Sequence, residues 1–321
     1  MEGNRTELGD VPTEEIKQPL VSVIVLNHNG LRFLDNCLDS ILKSDYPRLE
    51  VILVDNNSSD PSASHVEQKF KNVSVLRLNE NYHFAGGNNR GANSASGDVL
   101  FFLNNDTVID SRCISLAVSV LLSSEKIGIV QSNLIEESRR NINTQLPPFD
   151  SVFAQGAGMF IRRAVWNRLD GFDADFRAYV EDADLGIRAR LLGYDVYIVP
   201  ASVIWHYGSG TVSEMRSYFL INYYRNFPAM MVKNFGVKSL LFGIPLYFAA
   251  RAGGIIADFA SGKGKVARMK IIANVEFLRG IHSTLAKRKL IQKSRVAKDT
   301  EILRYFPMHK VAIQARVYEK R

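Results

Sequence analysis

Gly97-Asp98-Val99-Leu100-Phe101-Phe102-Leu103-Asn104-Asn105-Asp106-Thr107 decides the fold. Five apolar residues, Val99 to Leu103, run without a break between turn formers, which predicts a short strand buried on both faces. At its end, Asn104, Asn105 and Asp106 bring polar side chains to the carboxyl end of a central strand, where open α/β sheets bind their ligands. Taken alone, the three residues read equally as an ordinary Asn/Asp turn. The neighbouring stretches carry the decision.

Upstream, Val21 to Leu26 is rich in β-branched residues and predicts a first buried strand, followed by the turn Asn27-His28-Asn29-Gly30. Leu31, Leu34, Leu38, Ile41 and Leu42 have helix spacing, and Tyr46-Pro47 ends that helix. Leu49 to Val54 predicts a second strand, closing in Asp55-Asn56-Asn57-Ser58-Ser59-Asp60. A helix through Val66 to Phe70 and a third strand, Val73 to Leu78, follow. Strand–helix–strand–helix order implies a parallel sheet with right-handed crossovers. Asn81 to Gly91 opens a small-residue helix that runs to Ala95. Two strand ends, at Asp55 and Asp106, and one Gly/Asn-rich loop thus face one edge of a mostly parallel sheet flanked by helices.

Downstream, the patterns predict a helix over Ser111 to Leu122, a strand over Ile127 to Val130 and a polar, Pro-bearing excursion over Asn133 to Ser151. Gly156 to Ile161 reads as a strand and Arg163 to Leu169 as a short helix. Glu181-Asp182-Ala183-Asp184 starts a helix marked by Leu185, Ala189 and Leu192 and capped by Gly193. Asp195 to Val199 and Val203 to His206 read as two further strands.

The 321 residues suit one large domain, or one domain and an appendage, and 46% hydrophobic content supports a packed core. The two cysteines, Cys37 and Cys113, match neither a disulfide framework nor a metal site. Residues 1–19 read as a flexible polar leader without the apolar core of a signal peptide, so a cytoplasmic location is expected. The net charge of +7 is uneven: from Ser261 to Arg321, 16 Lys and Arg face 4 acids, which leaves 24 bases and 29 acids for residues 1–260. The basic segment has few aromatics and no nucleic-acid motif, so contact with an anionic membrane face is preferred over nucleic acid.

The polar residues at the sheet edge have definite chemistry. Asp55 can accept a hydrogen bond from an imide N–H such as that of uracil or thymine; an Asx turn is the alternative. Phe84-Ala85-Gly86-Gly87-Asn88-Asn89 before a helix offers backbone N–H groups to a phosphate or sugar; the alternative is a tight packing loop. The glycine spacing is not that of a dinucleotide fingerprint. Asp106 is a hard oxygen donor suited to Mg2+ or Mn2+ bridging phosphates, and His206 could be a second ligand or a structural histidine. One of Glu181, Asp182 and Asp184 could take a proton from an attacking hydroxyl. Helix N-termini favour acids anyway, and whether the helix dipole or desolvation governs their acidity stays open.

Assembled, these residues resemble the inverting glycosyltransferases of family 2, with the GT-A fold, and their rhamnosyltransferase-like branch in particular, over roughly residues 20–230. Val21 to Gly30, with Asn27 and Asn29, is similar to the family's first strand and nucleotide loop, and Val54 to Asp60, with Asp55 and Asn57, to its base-recognising strand end. Asn81 to Gly91, with Phe84, Gly86, Gly87 and Asn88, resembles the branch's glycine-rich element, with His83 in place of Gly. Leu103-Asn104-Asn105-Asp106 stands where the family has an Asp-x-Asp metal motif, and Asn104 in place of the first Asp implies either a cation held by fewer carboxylates or a weak metal dependence. Glu181-Asp182 stands at the catalytic acidic pair and Trp205-His206 at the late metal-binding histidine. The resemblance implies a single in-line displacement at the anomeric carbon with Asp182 as base, a nucleotide-sugar donor (dTDP-rhamnose first, UDP- and GDP-hexoses next) and a saccharide or lipid-linked saccharide acceptor. Arg225, beside Asn226, is expected either near the diphosphate or on a helix surface. A sugar-phosphate nucleotidyltransferase is the second reading, weakened by the lack of Lys or Arg in Asn27 to Gly30; a non-catalytic nucleotide-sugar or glycan-binding protein is the third.

Ser239 to Ala250 is 12 residues without charge, interrupted by Pro245 and closed by Arg251. A span needs about 20. Two short apolar helices are therefore expected, either packed on the catalytic domain or serving as an interfacial anchor beside the basic segment. The expected organisation is a leader (1–19), a catalytic domain (20–232) and a helical, basic extension (233–321).

Overall fold

The computed structural model describes residues 18–136, 143–208 and 213–305, with the side chains of 213–216 excepted. Most of the expected leader, the middle of the expected excursion after Asn133 and the end of the basic segment lie outside the described residues. The strands are β1 (Val21–Asn27), β2 (Leu49–Asp55), β3 (Val73–Arg77), β4 (Val99–Asn104), β5 (Thr107–Ile109), β6 (Ile127–Ile135), β7 (Phe149–Ser151), β8 (Gly158–Arg162) and β9 (Asp195–His206). The helices are α1 (Leu31–Leu42), α2 (Ser62–Lys69), α3 (His83–Ser94), α4 (Cys113–Leu122), α5 (Arg163–Leu169), α6 (Glu181–Leu191), α7 (Ser213–Asn234), α8 (Val237–Ala260), α9 (Gly264–Arg279), α10 (Ile281–Ser294) and α11 (Asp299–Leu303).

One sheet in the order β3-β2-β1-β4-β8-β6-β9-β5, with β7 on β9, forms the centre. β4 lies in its middle, and Val99 to Leu103 are each at most 2% exposed, as an apolar run covered on both faces requires. Phe101 stacks on Phe160 of β8 at 3.8 Å between ring centroids, while Phe102 packs on Trp166 and Phe172 on the opposite face. β1, β2, β3 and β4 pair in parallel. Beyond β4 the sheet is mixed: β8 runs antiparallel to β4 and β6, β6 and β9 are parallel, and β5 and β7 run antiparallel to β9. The expectation of a mostly parallel sheet therefore holds for one half only. Helices also occur in that half, α4 between β5 and β6 and α5 and α6 between β8 and β9, and its antiparallel pairs join strands that are not consecutive in the chain.

Three further expectations change. The two strands expected at Asp195–Val199 and Val203–His206 are one strand, β9, with a register shift opposite Ser132 and Asn133 that absorbs Pro200. β6 runs on to Ile135, through residues expected in the polar excursion. The two short apolar helices are one 24-residue helix, α8, with Pro245 inside it, long and apolar enough by length and composition to cross a membrane. The boundary expected at 232/233 falls inside α7.

Proline also explains how α7 and α8 join. Pro228 lies inside α7 and has no N–H to give the carbonyl of Tyr224 one turn back. Arg251 of α8 donates to that carbonyl at 3.2 Å, and its guanidinium lies over the Tyr224 ring.

α6 lies close to the chain before β8. A Cβ on Gly186 would sit 2.2 Å from the carbonyl oxygen of Val152, a backbone atom that cannot swing away. Gly186→Ala should therefore push α6 off its seat and destabilise the fold by about 3 kcal/mol, lowering the thermal midpoint by roughly 5 °C or more. An unchanged midpoint in calorimetry would show that the helix has slack.

Candidate active site

Parallel register brings three strand ends together. Asn27 is opposite Asp55, and Leu26 is opposite Asn104, so the carboxyl ends of β1, β2 and β4 form one edge. Asn105 Nδ2 donates to Asn27 Oδ1 at 2.7 Å, and Asn27 Nδ2 donates to Ser58 Oγ at 3.2 Å. Gly30 makes the first bond possible, since a Cβ there would lie 2.0 Å from Asn105 Nδ2. Asn29, in the left-handed region at φ 54°, accepts from the amides of Ser59 and Asp60, and Asn57 is left-handed at φ 63°. The two turns thus lock each other. Asp55 is 5% exposed, and its Oδ1 has no hydrogen-bond partner among the described residues, an acceptor left open at the edge.

α3 starts at His83, so Gly86 and Gly87 lie inside its first turns and not in a loop before it. The donors that open the helix are engaged: the His83 amide donates to Asn81 Oδ1 and the Ala85 amide to the carbonyl of Arg177. Close packing accounts for the glycines, since a Cβ on Gly87 would lie 2.6 Å from Leu26 Cδ1. Asn88 is buried, donates to the Phe84 carbonyl and keeps an unpartnered Oδ1. Phe84 packs against Phe172, and only a glycine at 156 leaves room for its ring.

Asp106 and His206 meet where β5 pairs with β9. His206 Nε2 lies 3.2 Å from Asp106 Oδ1, and Nδ1 lies 3.1 Å from Glu136 Oε1. Asn104 Nδ2 is 3.5 Å from the same Nε2. Burial opposes protonation of His206, but the hydrogen bonds and charges of Asp106 and Glu136 outweigh it and raise the pKa above the ordinary value. One ring nitrogen toward a carboxylate ligand and the other on an outer carboxylate is the arrangement of metal-binding histidines. Among the described residues no three His, Cys, Asp or Glu side chains form a closed ligand set. Two donors still fit a cation that shares its coordination with substrate phosphates.

The acids of α6 are sorted by their neighbours. Asp184 is fully buried and paired with Arg188 at 2.7 Å and Lys233 at 2.8 Å. Among the described residues no cation pairs with Glu181 or Asp182. Burial, then the charge of Asp182, raises the Glu181 pKa well above the ordinary value, and Glu181 Oε2 has no partner. Burial raises Asp182 too, against backbone amides: Ala183 N donates to Oδ1 at 2.7 Å and Gly156 N to Oδ2 at 3.4 Å. Desolvation therefore wins over the helix terminus. Gly156 lies two residues before Gly158, which is opposite Leu103, so Asp182 is delivered to the edge that carries Asn104 and Asp106.

The chain enters α6 under strain. Arg177, Tyr179 and Val180 have φ of 60°, 67° and 74°, and the last is β-branched. Asn226 Nδ2 lies within 3.0 Å of the carbonyls of Phe176, Ala178 and Tyr179. Arg225 donates to the carbonyls of Asp175 and Phe176 and pairs with Glu276 at 3.4 Å. Arg225 is thus neither on a helix surface nor bonded to the strand-edge residues; it braces the loop that aims Asp182.

A pH dependence follows. If Asp182 is the base, activity is lost as pH falls and the carboxylate is protonated. The acid limb of kcat/KM should then have its midpoint above 3.8, the ordinary value. Glu181→Gln should keep that limb, because the amide leaves the Asp182 carboxylate and its contacts with Ala183 and Gly156 in place. An acid limb at or below the ordinary carboxylate value would contradict the environment described for Asp182.

Sequence patterns missed Glu136, because its strand looked like the start of a polar excursion, and Asn56, whose side chain ties Asn81, Tyr82 and His83 to the end of β2. A buried asparagine between two turns gives no periodic signal.

Residues 22–182 match the family described as Glycosyl transferase family 2, and residues 147–220 match Glycosyltransferase like family 2. The chain is 25% identical over 219 residues to a probable glycosyltransferase, YdaM, of Bacillus subtilis, covering 60% of this chain and 52% of that protein. It is 32% identical over 133 residues to a GalNAc(5)-diNAcBac-PP-undecaprenol beta-1,3-glucosyltransferase of Campylobacter jejuni, 40% of this chain and 42% of that one. It is 28% identical over 225 residues to the O-antigen biosynthesis protein RfbC of Myxococcus xanthus, 60% of this chain and 18% of that one. The chain thus spans about half or less of these relatives. Among solved structures, the mannosyltransferase PcManGT of Pyrobaculum calidifontis, in complex with GDP-Man and Mn2+, superposes with a TM-score of 0.57 at 18% identity over 82% of this chain and 88% of that one. Residues 1–349 of S. aureus TarS give 0.54 at 18% identity, with 67% and 66% covered. At these identities the likeness is one of fold, and the fold is GT-A.

Proposed function

We infer the reaction from the family, for this chain belongs to glycosyl transferase family 2. We propose that it moves a sugar from a nucleoside-diphosphate donor to a hydroxyl of a saccharide, or of a saccharide carried on a lipid, with inversion at the anomeric carbon. The observation that carries this is the Glu181–Asp182 pair: two acids without a cation, desolvated, on a strained helix start at the ligand-binding edge of the sheet.

Asp182 takes the proton of the acceptor hydroxyl as its oxygen bonds to the anomeric carbon. The bond to the diphosphate breaks on the opposite face, and the electron pair leaves with the diphosphate. Glu181, held protonated, adds no charge beside the base and leaves Asp182 the ionised member of the pair. Asp55 Oδ1 suits the imide N–H of a uracil or thymine base, and Asn27, Asn29, Asn57, Asn104 and Asn105 line the same edge. Asp106 and His206 would hold a divalent cation, Mg2+ or Mn2+, which when bound neutralises charge on the departing diphosphate. dTDP-rhamnose is the first donor to try, by the glycine-rich element over Asn81 to Gly91, and UDP- and GDP-hexoses come next. An acceptor in a lipid would place the enzyme at an anionic membrane face.

A thermal-shift panel of nucleotide sugars with and without Mn2+ tests the reading. A donor at a hundredfold excess over its Kd stabilises by about 2.7 kcal/mol, roughly 5–10 °C in midpoint. The expected result is a shift for one nucleotide class that grows with Mn2+. No shift with any nucleotide sugar would overturn it.

A further inference from the structure

We propose that α8 and α9 form a docking surface for an anionic lipid bilayer, with α8 lying in the plane of the interface and not crossing it. Past its first turn, α8 turns its charges, Arg251 and Asp258, inward and its apolar side chains outward, the reverse of a helix on a water-exposed surface. Arg251 is buried against Asn274 at 2.9 Å and the Tyr224 carbonyl, and Asp258 pairs with Lys270 at 2.8 Å. Meanwhile Phe242 is 81% exposed, Ile256 69%, Leu241 66% and Leu246 56%. α9 packs along α8 and adds exposed Ile271, Ile272, Val275 and Leu278. Contiguous exposed apolar surface of this kind marks an interaction site.

Charge decides the occupant. Between residues 237 and 298 the sequence holds 13 Lys and Arg against two acids, Asp258 and Glu276. Both acids face inward, Asp258 to Lys270 and Glu276 to Arg225. The outward rim, which includes Lys238, Lys263, Lys265 and Arg268, is therefore cationic only. A second copy would set these cations against each other across a two-fold axis, whereas an apolar face with a cationic rim complements anionic headgroups over acyl chains. Tethers decide the orientation. Asp299 holds the start of α8 through Gly236 N and Ser239 Oγ, Arg251 holds its middle, and Asp258 holds its end. Crossing would break all three tethers and bury the charges of Arg251 and Asp258 in hydrocarbon. The surface gives the lipid-linked acceptor proposed above a place to be reached, and in that respect rests on that reading.

The test uses the full chain and preformed vesicles of phosphatidylcholine, with and without phosphatidylglycerol, in a sedimentation assay. Binding is expected to strengthen with phosphatidylglycerol. Phe242→Asp with Leu246→Asp should weaken it at least about tenfold. Lys263→Glu with Lys265→Glu, which leave the apolar face intact, should weaken binding to the anionic vesicles by about tenfold or more. Nitroxide labels on Phe242→Cys, Ala249→Cys and Phe259→Cys should all report one shallow depth; Cys37 and Cys113 are buried, with thiols pushed up to about 12 and about 11, and stay unlabelled. The donor-induced thermal shift should be the same in all these variants, so a failure of docking is separable from a failure of the transferase reading. Ala249 deeper than both flanking labels would overturn the in-plane placement. No vesicle binding, with a solution dimer that the Asp variants dissociate, would overturn the lipid surface in favour of a second copy.

Discussion

Asp182→Asn should lower kcat/KM by about 10²–10⁴-fold while leaving the Kd of the nucleotide-sugar donor within about twofold. The asparagine keeps the shape, and its one acceptor oxygen can keep the shorter bond, from the amide of Ala183 at 2.7 Å, so the start of α6 should not move. It loses the ability to take a proton and, with an NH2 in place of the second oxygen, the long 3.4 Å bond from Gly156 N. The loss should be confined to kcat and to the transition state, since the donor site proposed above lies at the strand ends of β1, β2 and β4 and not at Asp182. Activity within threefold of wild type would remove Asp182 as the base. A parallel loss of donor binding would instead show that Asp182 holds the ligand.

Lys233→Met should destabilise the fold by about 3–5 kcal/mol. Lys233 is 2% exposed and bridges Asp173 at 2.6 Å and Asp184 at 2.8 Å, with its ammonium over the Phe176 ring. Methionine fills the volume but leaves two buried carboxylates short of a cation, with Lys287 still on Asp173 and Arg188 still on Asp184. Burial alone would raise Asp173, yet Lys233 and Lys287 together hold it well below the ordinary carboxylate range. A depressed folded pKa contributes stability above the unfolded value of 3.8 and loses it as pH falls toward the folded one. The gap between wild type and variant should therefore be full at neutral pH and narrow in acid below 3.8. A denaturant midpoint that barely moves at pH 7 would mean that the network is dispensable. Because this lysine joins α7 to α6, on which the proposed base Asp182 lies, the variant should also lose transferase activity at temperatures where it remains folded.

What the sequence made legible follows from period and register. Val99 to Leu103 was legible as a covered strand because the apolar run has a strand's length, is bounded by turn formers and follows other strand–helix patterns. Asp55 and Asp106 were predicted on one edge because parallel strands end together, and the register adds Asn27 and Asn104 to that edge. Glu181 and Asp182 were legible as acids at a helix start, but their acidity was not, since it depends on Asp184 alone being paired with cations on other turns and helices. The partners of Arg225 were not legible for a similar reason: Asp175 and Phe176 lie fifty residues away in a loop without pattern. The length of α8 was hidden by Pro245 and Arg251, each of which ends a helix or a span in a local reading. In the fold the Arg251 guanidinium turns inward to Asn274 and Tyr224.

The most direct measurement of the central claim is the anomeric configuration of the new glycosidic bond, read by proton NMR of the product formed with the donor that stabilises the protein. A single displacement with Asp182 taking the acceptor proton predicts inversion. Retention of configuration would contradict it, because retention requires a second displacement or attack on the face from which the diphosphate leaves.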